Sequence, residues 1–146
     1  MKIIKKAGAI IIVQGKLLLC KPYAFDDLIL PGGIIEETET PQDALVRELN
    51  EELSKASLPD PESVSYFGTY TDIAAGRLDT LVEIQCFTVS LNGEAQPEDE
   101  IKELIFFAPT DNPMVLSPII RNHILPALVR RGLFDAESNK DDSSNK

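Results

Sequence analysis

The sequence predicts an α/β fold: β-rich segments on either side of one strongly marked helix, with a second helix near the C-terminus. Three observations carry this. Runs rich in β-branched and aromatic residues, among them "IIKKAGAIIIV", "SVSYFGTYTDI" and "LDTLVEIQCFTVSL", are separated by turn signals. A helix start stands at Thr40-Pro41, and apolar residues recur at helical spacing after Ser117-Pro118. A chain of 146 residues, 43% hydrophobic, has material for one core and too little for two ordinary domains, so residues 1–134 are expected to form a single domain.

The elements follow in order. "IIKKAGAIIIV" and "KLLLCK" flank Gln14 and Gly15, a short turn that makes them a hairpin. Thr40 can cap the helix, Pro41 suits its first position because the missing N–H has no helical partner there, and Asp43 completes a variant of the capping box. With Ala44 at zero and about 100° per residue, Leu45, Leu49, Leu53 and Val46 fall at about 100°, 140°, 180° and 200°, one apolar stripe. On the same wheel Glu48, Glu51 and Glu52 fall at about 40°, 340° and 80°, with Arg47 at about 300°. Three carboxylates therefore share one face.

After the helix, the two long β runs flank "AAGR" as a hairpin, Asn92-Gly93 marks a further turn, and "ELIFFA" reads as a strand behind the acidic loop "EAQPEDE". In "SPIIRNHILPALVRRGLF" the helical pattern should be kinked by Pro126. The closing residues 135–146, "DAESNKDDSSNK", have nothing to bury and are expected to be disordered.

Charge narrows the function. With 24 acidic residues against 14 basic and a net charge of −10, the chain lacks the broad basic footprint of a nucleic-acid or anionic-membrane binder. Lys2, Lys5, Lys6 and "AGAIIIV" imitate a signal peptide, but Gln14, Gly15 and Lys16 break the run and Leu19 stands where a cleavage site needs a small residue. No apolar stretch approaches the roughly 20 residues that cross a bilayer. Cys20 and Cys86 sit in apolar strand-like runs and read as reduced core thiols, which together suggest a cytoplasmic protein.

Like charges three and four residues apart repel by a few tenths of a kcal/mol each, so the acidic face needs compensation. Solvation is the common answer for such a face. A hard Mg²⁺ ion, which takes carboxylate, water and phosphate oxygens, compensates better. The "PGG" just upstream favours the ion, because glycine lets backbone pass close to the helix and offer a carbonyl.

These residues carry a family resemblance. Gly33, five residues, Glu39, seven residues and "RELNEE" from Arg47 to Glu52 resemble the signature box of the Nudix hydrolases, six identities over twenty positions. The preceding "LILP" and the later "EIKELIFF" are similar to the family too. The resemblance implies an α/β/α sandwich around a mixed β-sheet, with the box forming a loop–helix–loop. It implies that Glu48, Glu51 and Glu52 bind Mg²⁺, or Mn²⁺ in its place, together with the Gly33 carbonyl, while Glu39 and Arg47 brace one another. A further glutamate from a loop before a late strand is matched best by Glu100, with Glu103 and Glu98 as rivals. Thr38 and Ser54 replace glycines of the box and Lys55 an apolar residue, so the helix is expected to end differently, running on through "KAS" until Pro59.

The implied reaction is metal-dependent hydrolysis of a nucleoside diphosphate linked to another moiety, with Glu48 or Glu52 as the base. By elimination, nucleoside triphosphates, oxidised ones included, lead as substrates. A nucleotide sugar such as ADP-ribose is the alternative substrate, and a catalytically silent nucleotide-binding module the alternative function. Tyr70 and Arg77 are weak candidates for substrate contact, since strand packing and a solvated turn account for them equally well. His123, Arg130 and Arg131 are assigned to packing or to the end of the second helix. Homodimerisation is expected only by analogy with the family.

Overall fold

The computed structural model describes residues 1–53, 61–93 and 101–135. The strands are β1 (Lys2–Ile10), β2 (Ile12–Val13), β3 (Lys16–Pro22), β4 (Gly32–Ile34), β5 (Ser65–Ala74), β6 (Arg77–Thr88) and β7 (Ile101–Phe107); the helices are α1 (Pro41–Glu52) and α2 (Leu125–Arg130). They build two sheets. The first is mixed, in the order β4-β1-β6-β5, with β1 parallel to β6 and the other pairs antiparallel. The second, β2-β3-β7, is antiparallel.

The chain passes from one sheet to the other at Ile10 and Ile11. The Ile10 carbonyl accepts from the Val89 N–H at 3.0 Å, whereas the Ile11 carbonyl accepts from the Leu18 N–H at 2.9 Å. Gln14 and Gly15 both have positive φ, 53° and 80°, the backbone a tight two-residue hairpin needs. The expected mixed sheet is therefore four strands, with the first hairpin and β7 forming a neighbour of their own.

Alternation along the strands divides the core in two. Ala7, Ala9, Ile11, Leu18, Phe87 and Val89 pack against Ala44, Leu45, Leu49 and Leu53 of the α1 region. Ile10, Leu17, Leu19, Val82, Ile84 and Phe107 turn the other way, onto Ile120, Ile124, Ala127 and Leu128. One helical layer on each face makes the α/β/α arrangement. Alanine at positions 7, 9 and 44 lets α1 lie close to the sheet, and all three are almost wholly buried. Burial also answers the repulsion on the acidic face: Leu49→Ala should cost about 2–5 kcal/mol in urea unfolding, an order of magnitude more than the charges oppose.

α1 begins as its sequence predicts, with the Thr40 hydroxyl accepting from the Asp43 N–H at 3.1 Å. It does not run on to Pro59. Leu53 is already extended, at φ −119° and ψ 152°, and fully buried, so sinking its side chain into the core prevails over further helix. Residues 54–60 lie outside the described residues. The irregularity predicted at Pro126 takes the form of a π-helical turn, Ile120–Ile124, in which the Leu125 N–H reaches back to the Ile120 carbonyl. That wider turn immediately precedes a residue with no N–H to donate. The tail expected to be disordered falls, from residue 136, outside the described residues. Among the described residues no helix is long and apolar enough to cross a membrane.

Candidate active site

The site starts from a close approach of backbones. Gly32 and Gly33 lie opposite Gly8 and Ala7 across the β1–β4 pair. Gly32 has φ +138°, and a Cβ there would strike the Ala7 carbonyl oxygen. Both faults involve rigid backbone, so Gly32→Ala should destabilise the fold by about 2–4 kcal/mol in chemical denaturation. Gly33 is confined by a side chain instead: its Cβ would fall within the carboxyl group of Glu48, with the oxygens at 2.5 and 2.6 Å. The carboxylate of Glu48 thus rests directly on the backbone of the glycine loop.

Arg47 ties that loop to the helix. Its Nε donates to Glu39 Oε2 at 2.6 Å and its Nη2 to Glu39 Oε1 at 3.0 Å, a two-pronged pair. Nη2 also donates to the Ile34 carbonyl at 3.1 Å, and Glu39 Oε1 accepts from the Glu36 N–H at 3.0 Å. The other end of the guanidinium, Nη1, lies 2.9 Å from Glu48 Oε2 and 3.6 Å from Glu51 Oε2. One cation therefore orients three carboxylates and a carbonyl. Glu52 is held separately, its Oε1 accepting from the Gly32 N–H at 2.8 Å.

The Arg47 hydrogen bond, and after it the Glu36 N–H, hold the Glu39 carboxyl below its ordinary value of 4.5. A group whose folded pKa is depressed contributes stability that is complete above the unfolded value and lost as pH falls through the folded one. Acid titration of unfolding stability should therefore show wild type losing stability below about pH 4.5 by one more titrating group than Glu39→Gln. Cys20 is buried, and its thiol is pushed well above the ordinary range by burial first and by the Glu52 charge second; burial pushes Cys86 up to about 12. Both thiols stay protonated and free at neutral pH.

Gly33, Glu48, Glu51 and Glu52 line one open cleft of about 420 Å³, with Glu36, Lys6 and Phe25 on its walls. Their oxygens are hard donors of the kind a divalent cation takes, and the space that only glycine leaves at position 33 sets a carboxylate beside backbone, so the residues fit such an ion. Among the described residues no three acidic, histidine or cysteine side chains converge as a ready-made ligand cluster. Arg47 draws Glu48 and Glu51 one way, while the Gly32 N–H draws Glu52 another.

The other candidates lie elsewhere. Glu100 and Glu98 are outside the described residues. Glu103 is an exposed β7 residue opposite Lys21, and does not line the cleft. Tyr70 is half-buried between Phe67 and His123, with ring centroids 6.4 and 6.5 Å away, and Arg77 is exposed at the start of β6. His123 Nε2 is 3.2 Å from Asp72 Oδ2, a tie between the π-helical turn Ile120–Ile124 and β5. Burial would raise the Asp72 pKa, but hydrogen bonds from Asn122 and the Ile73 N–H, together with His123, hold it low. Arg131, expected at the helix end, reaches the Phe67 carbonyl at 2.7 Å and lies 3.9 Å over that ring. Lys6, which the sequence did not single out for the site, lines the cleft because β1 pairs with β4 and sets it opposite Ile34, a register that no local sequence signal announces.

Comparison with known proteins agrees with this geometry. The family model described as NUDIX domain matches residues 3–127. The E. coli ORF135 protein, solved in solution, is 27% identical over 97% of this chain and 96% of its own, with a TM-score of 0.63. A MutT NUDIX hydrolase from Burkholderia pseudomallei is 22% identical over 81% of this chain and 92% of its own, with a TM-score of 0.67. A bifunctional NMN adenylyltransferase/ADP ribose pyrophosphatase from Francisella tularensis, complexed with AMP and Mn ion, is 19% identical over 88% of this chain and 41% of its own, with a TM-score of 0.64. No curated protein matches the chain. Matched over most of its length and carrying Gly33, Glu39, Arg47, Glu48, Glu51 and Glu52 at the spacing of the box, the chain belongs to the Nudix family and is a pyrophosphohydrolase of that family.

Proposed function

We propose that the protein hydrolyses the pyrophosphate linkage of a nucleoside diphosphate joined to another group, with Mg²⁺ as the cofactor and nucleoside triphosphates, oxidised ones included, as the substrates. The observation that carries the reading is the seat of the Glu48 carboxylate on Gly33, beside Glu51 and Glu52 in one cleft. Glu48, Glu51, Glu52 and the Gly33 carbonyl would hold the cation, which supplies charge neutralisation for phosphate and an acidified water. The F. tularensis protein of similar fold, a bifunctional enzyme, was solved in complex with AMP and a Mn ion, which is compatible with a divalent-metal reading here.

The chain's own residues then have distinct tasks. Arg47 and Glu39 hold the loop against the helix, a positioning role whose loss typically costs 10- to 100-fold in affinity or activity. Glu48 or Glu52 would take the proton from the attacking water; the Arg47 contact is at Glu48 Oε2 and the Gly32 contact at Glu52 Oε1, so each orients its carboxylate through one oxygen. An acidic protein can handle a polyanion this way because the cation reverses the local field.

Phosphorus NMR of the products tests this reading. Cleavage of a nucleoside triphosphate with Mg²⁺ should yield the monophosphate and pyrophosphate. Release of inorganic phosphate with the diphosphate left behind would place the cut elsewhere and refute the proposed linkage.

A further inference from the structure

The catalytic cleft wraps around an edge strand. β4 is the outermost strand of the mixed sheet, and residues directly opposite one another across the β1–β4 pair share a face. Lys6 and Ile34 form one such pair and Ala7 and Gly33 the next, so alternation sends Lys6 to the face opposite the one on which Glu48 rests over Gly33. Lys6, Ile34, Gly33 and Glu48 nonetheless line one cleft. The carboxylates thus stand on one side of β4 and a lysine on the other.

Charge separates this lysine from the rest of the lining. Glu36, Glu48, Glu51 and Glu52 contribute four carboxylates, and Lys6 is the one basic side chain among the described residues that line the cleft. Arg47 does not replace it, because its guanidinium is engaged by Glu39, the Ile34 carbonyl, Glu48 and Glu51. Lys6 is also firmly rooted. β1 is paired on both sides there, with Ile34 across one edge and Ile84 across the other, and the half-buried lysine immediately precedes the buried run from Ala7 to Ile10. The strand fixes the base of the side chain, and the ammonium at the end of its flexible stem is a compact donor suited to phosphoryl oxygen.

We infer that Lys6 selects for the number of phosphoryl groups, favouring nucleoside triphosphates over substrates that carry only two. The inference rests on the hydrolase reading above and names the residue that sets its substrate class. With the glutamates engaged by their cation on one side of β4, phosphate oxygens that extend past the strand have Lys6 as their counter-charge from the protein. A triphosphate carries more negative charge than a diphosphate closed off by a neutral sugar, so it gains more from that ammonium. Offsetting the glutamates is the competing role for Lys6, and its consequences are different. A lysine that only neutralised carboxylates would, on removal, tighten Mg²⁺ binding and leave the two kinds of nucleotide equally affected.

The test is titration calorimetry with α,β-methylene ATP and α,β-methylene ADP in the presence of Mg²⁺, on wild type, Lys6→Met and Lys6→Arg. The two analogues resist cleavage between the α and β phosphorus atoms and differ by one phosphoryl group. Lys6→Met should weaken the triphosphate analogue by about 10- to 100-fold and the diphosphate analogue by about threefold or less, while Lys6→Arg keeps most of the difference between them. The same split should appear in kcat/KM for ATP against ADP-ribose, and a urea midpoint shared by the three proteins ties it to the cleft and not to the fold. Equal losses on both analogues, or none, overturn the inference, as does tighter Mg²⁺ binding by Lys6→Met with triphosphate affinity retained. Each of these results in a wild type that still hydrolyses nucleotides leaves the hydrolase reading intact. A wild type that binds neither analogue and turns over no nucleotide overturns both.

Discussion

Glu52→Gln is expected to lower kcat for nucleotide hydrolysis by about 10²- to 10⁴-fold while leaving unfolding stability near that of wild type. The substitution keeps the hydrogen bond to the Gly32 N–H and removes the negative charge and the proton acceptor that the chemistry uses. Glu52 accepts a hydrogen bond from the Gly32 N–H at 2.8 Å, and a glutamine oxygen accepts the same bond. The neutral amide takes no proton and is a weaker partner for a divalent cation. Paired measurements of kcat and Tm check this, and turnover within a few fold of wild type would remove Glu52 from the reaction.

Gly33→Ala should be nearly as damaging to activity, for a different physical reason. The backbone of Gly33 lies outside the left-handed region, so alanine meets no strain there, and the three atoms nearest its Cβ all belong to the carboxyl end of Glu48. That end is the flexible tip of a long side chain and can swing away, so the stability cost should stay below about 1 kcal/mol. Once displaced, Glu48 no longer rests on the loop, and Mg²⁺ affinity and kcat/KM should fall by about 10- to 100-fold. Gly32→Ala, one residue earlier, reverses the balance by striking backbone and unsettling the fold itself. Magnesium titration calorimetry beside urea unfolding separates the two glycines; similar stability losses in both variants would contradict the distinction.

The start of α1 was readable from three residues because its determinants are local: a hydroxyl at Thr40, a proline at the first helical position and an acidic residue three after the cap. Its end was not. Leu53 leaves the helix because a buried site awaits its side chain beneath α1, and no short-range signal in "LSKAS" announces that site. The division into two sheets was equally hidden, since it depends on Ile10 and Ile11 choosing partners at Val89 and Leu18. In the site, the face shared by Glu48, Glu51 and Glu52 followed from helical periodicity alone. That Arg47 would draw Glu48 and Glu51 while Glu52 turned to Gly32 depended on how the glycine loop meets the helix. Tyr70 was ambiguous for the reason first given, that packing explains an aromatic strand residue as well as binding does, and it lies against Phe67 and His123.

Metal-dependent hydrolysis of a nucleotide anhydride is proposed for the Gly33–Glu52 cleft. The measurement that tests it most directly is turnover of a panel of nucleoside triphosphates, oxidised nucleotides and nucleotide sugars by the purified protein, first stripped with EDTA and then titrated with Mg²⁺. The stripped protein should show no turnover, and activity should rise with Mg²⁺ to a plateau, strongest on nucleoside triphosphates. A folded protein that binds Mg²⁺ and turns over no member of the panel would contradict it and leave a nucleotide-binding module in its place.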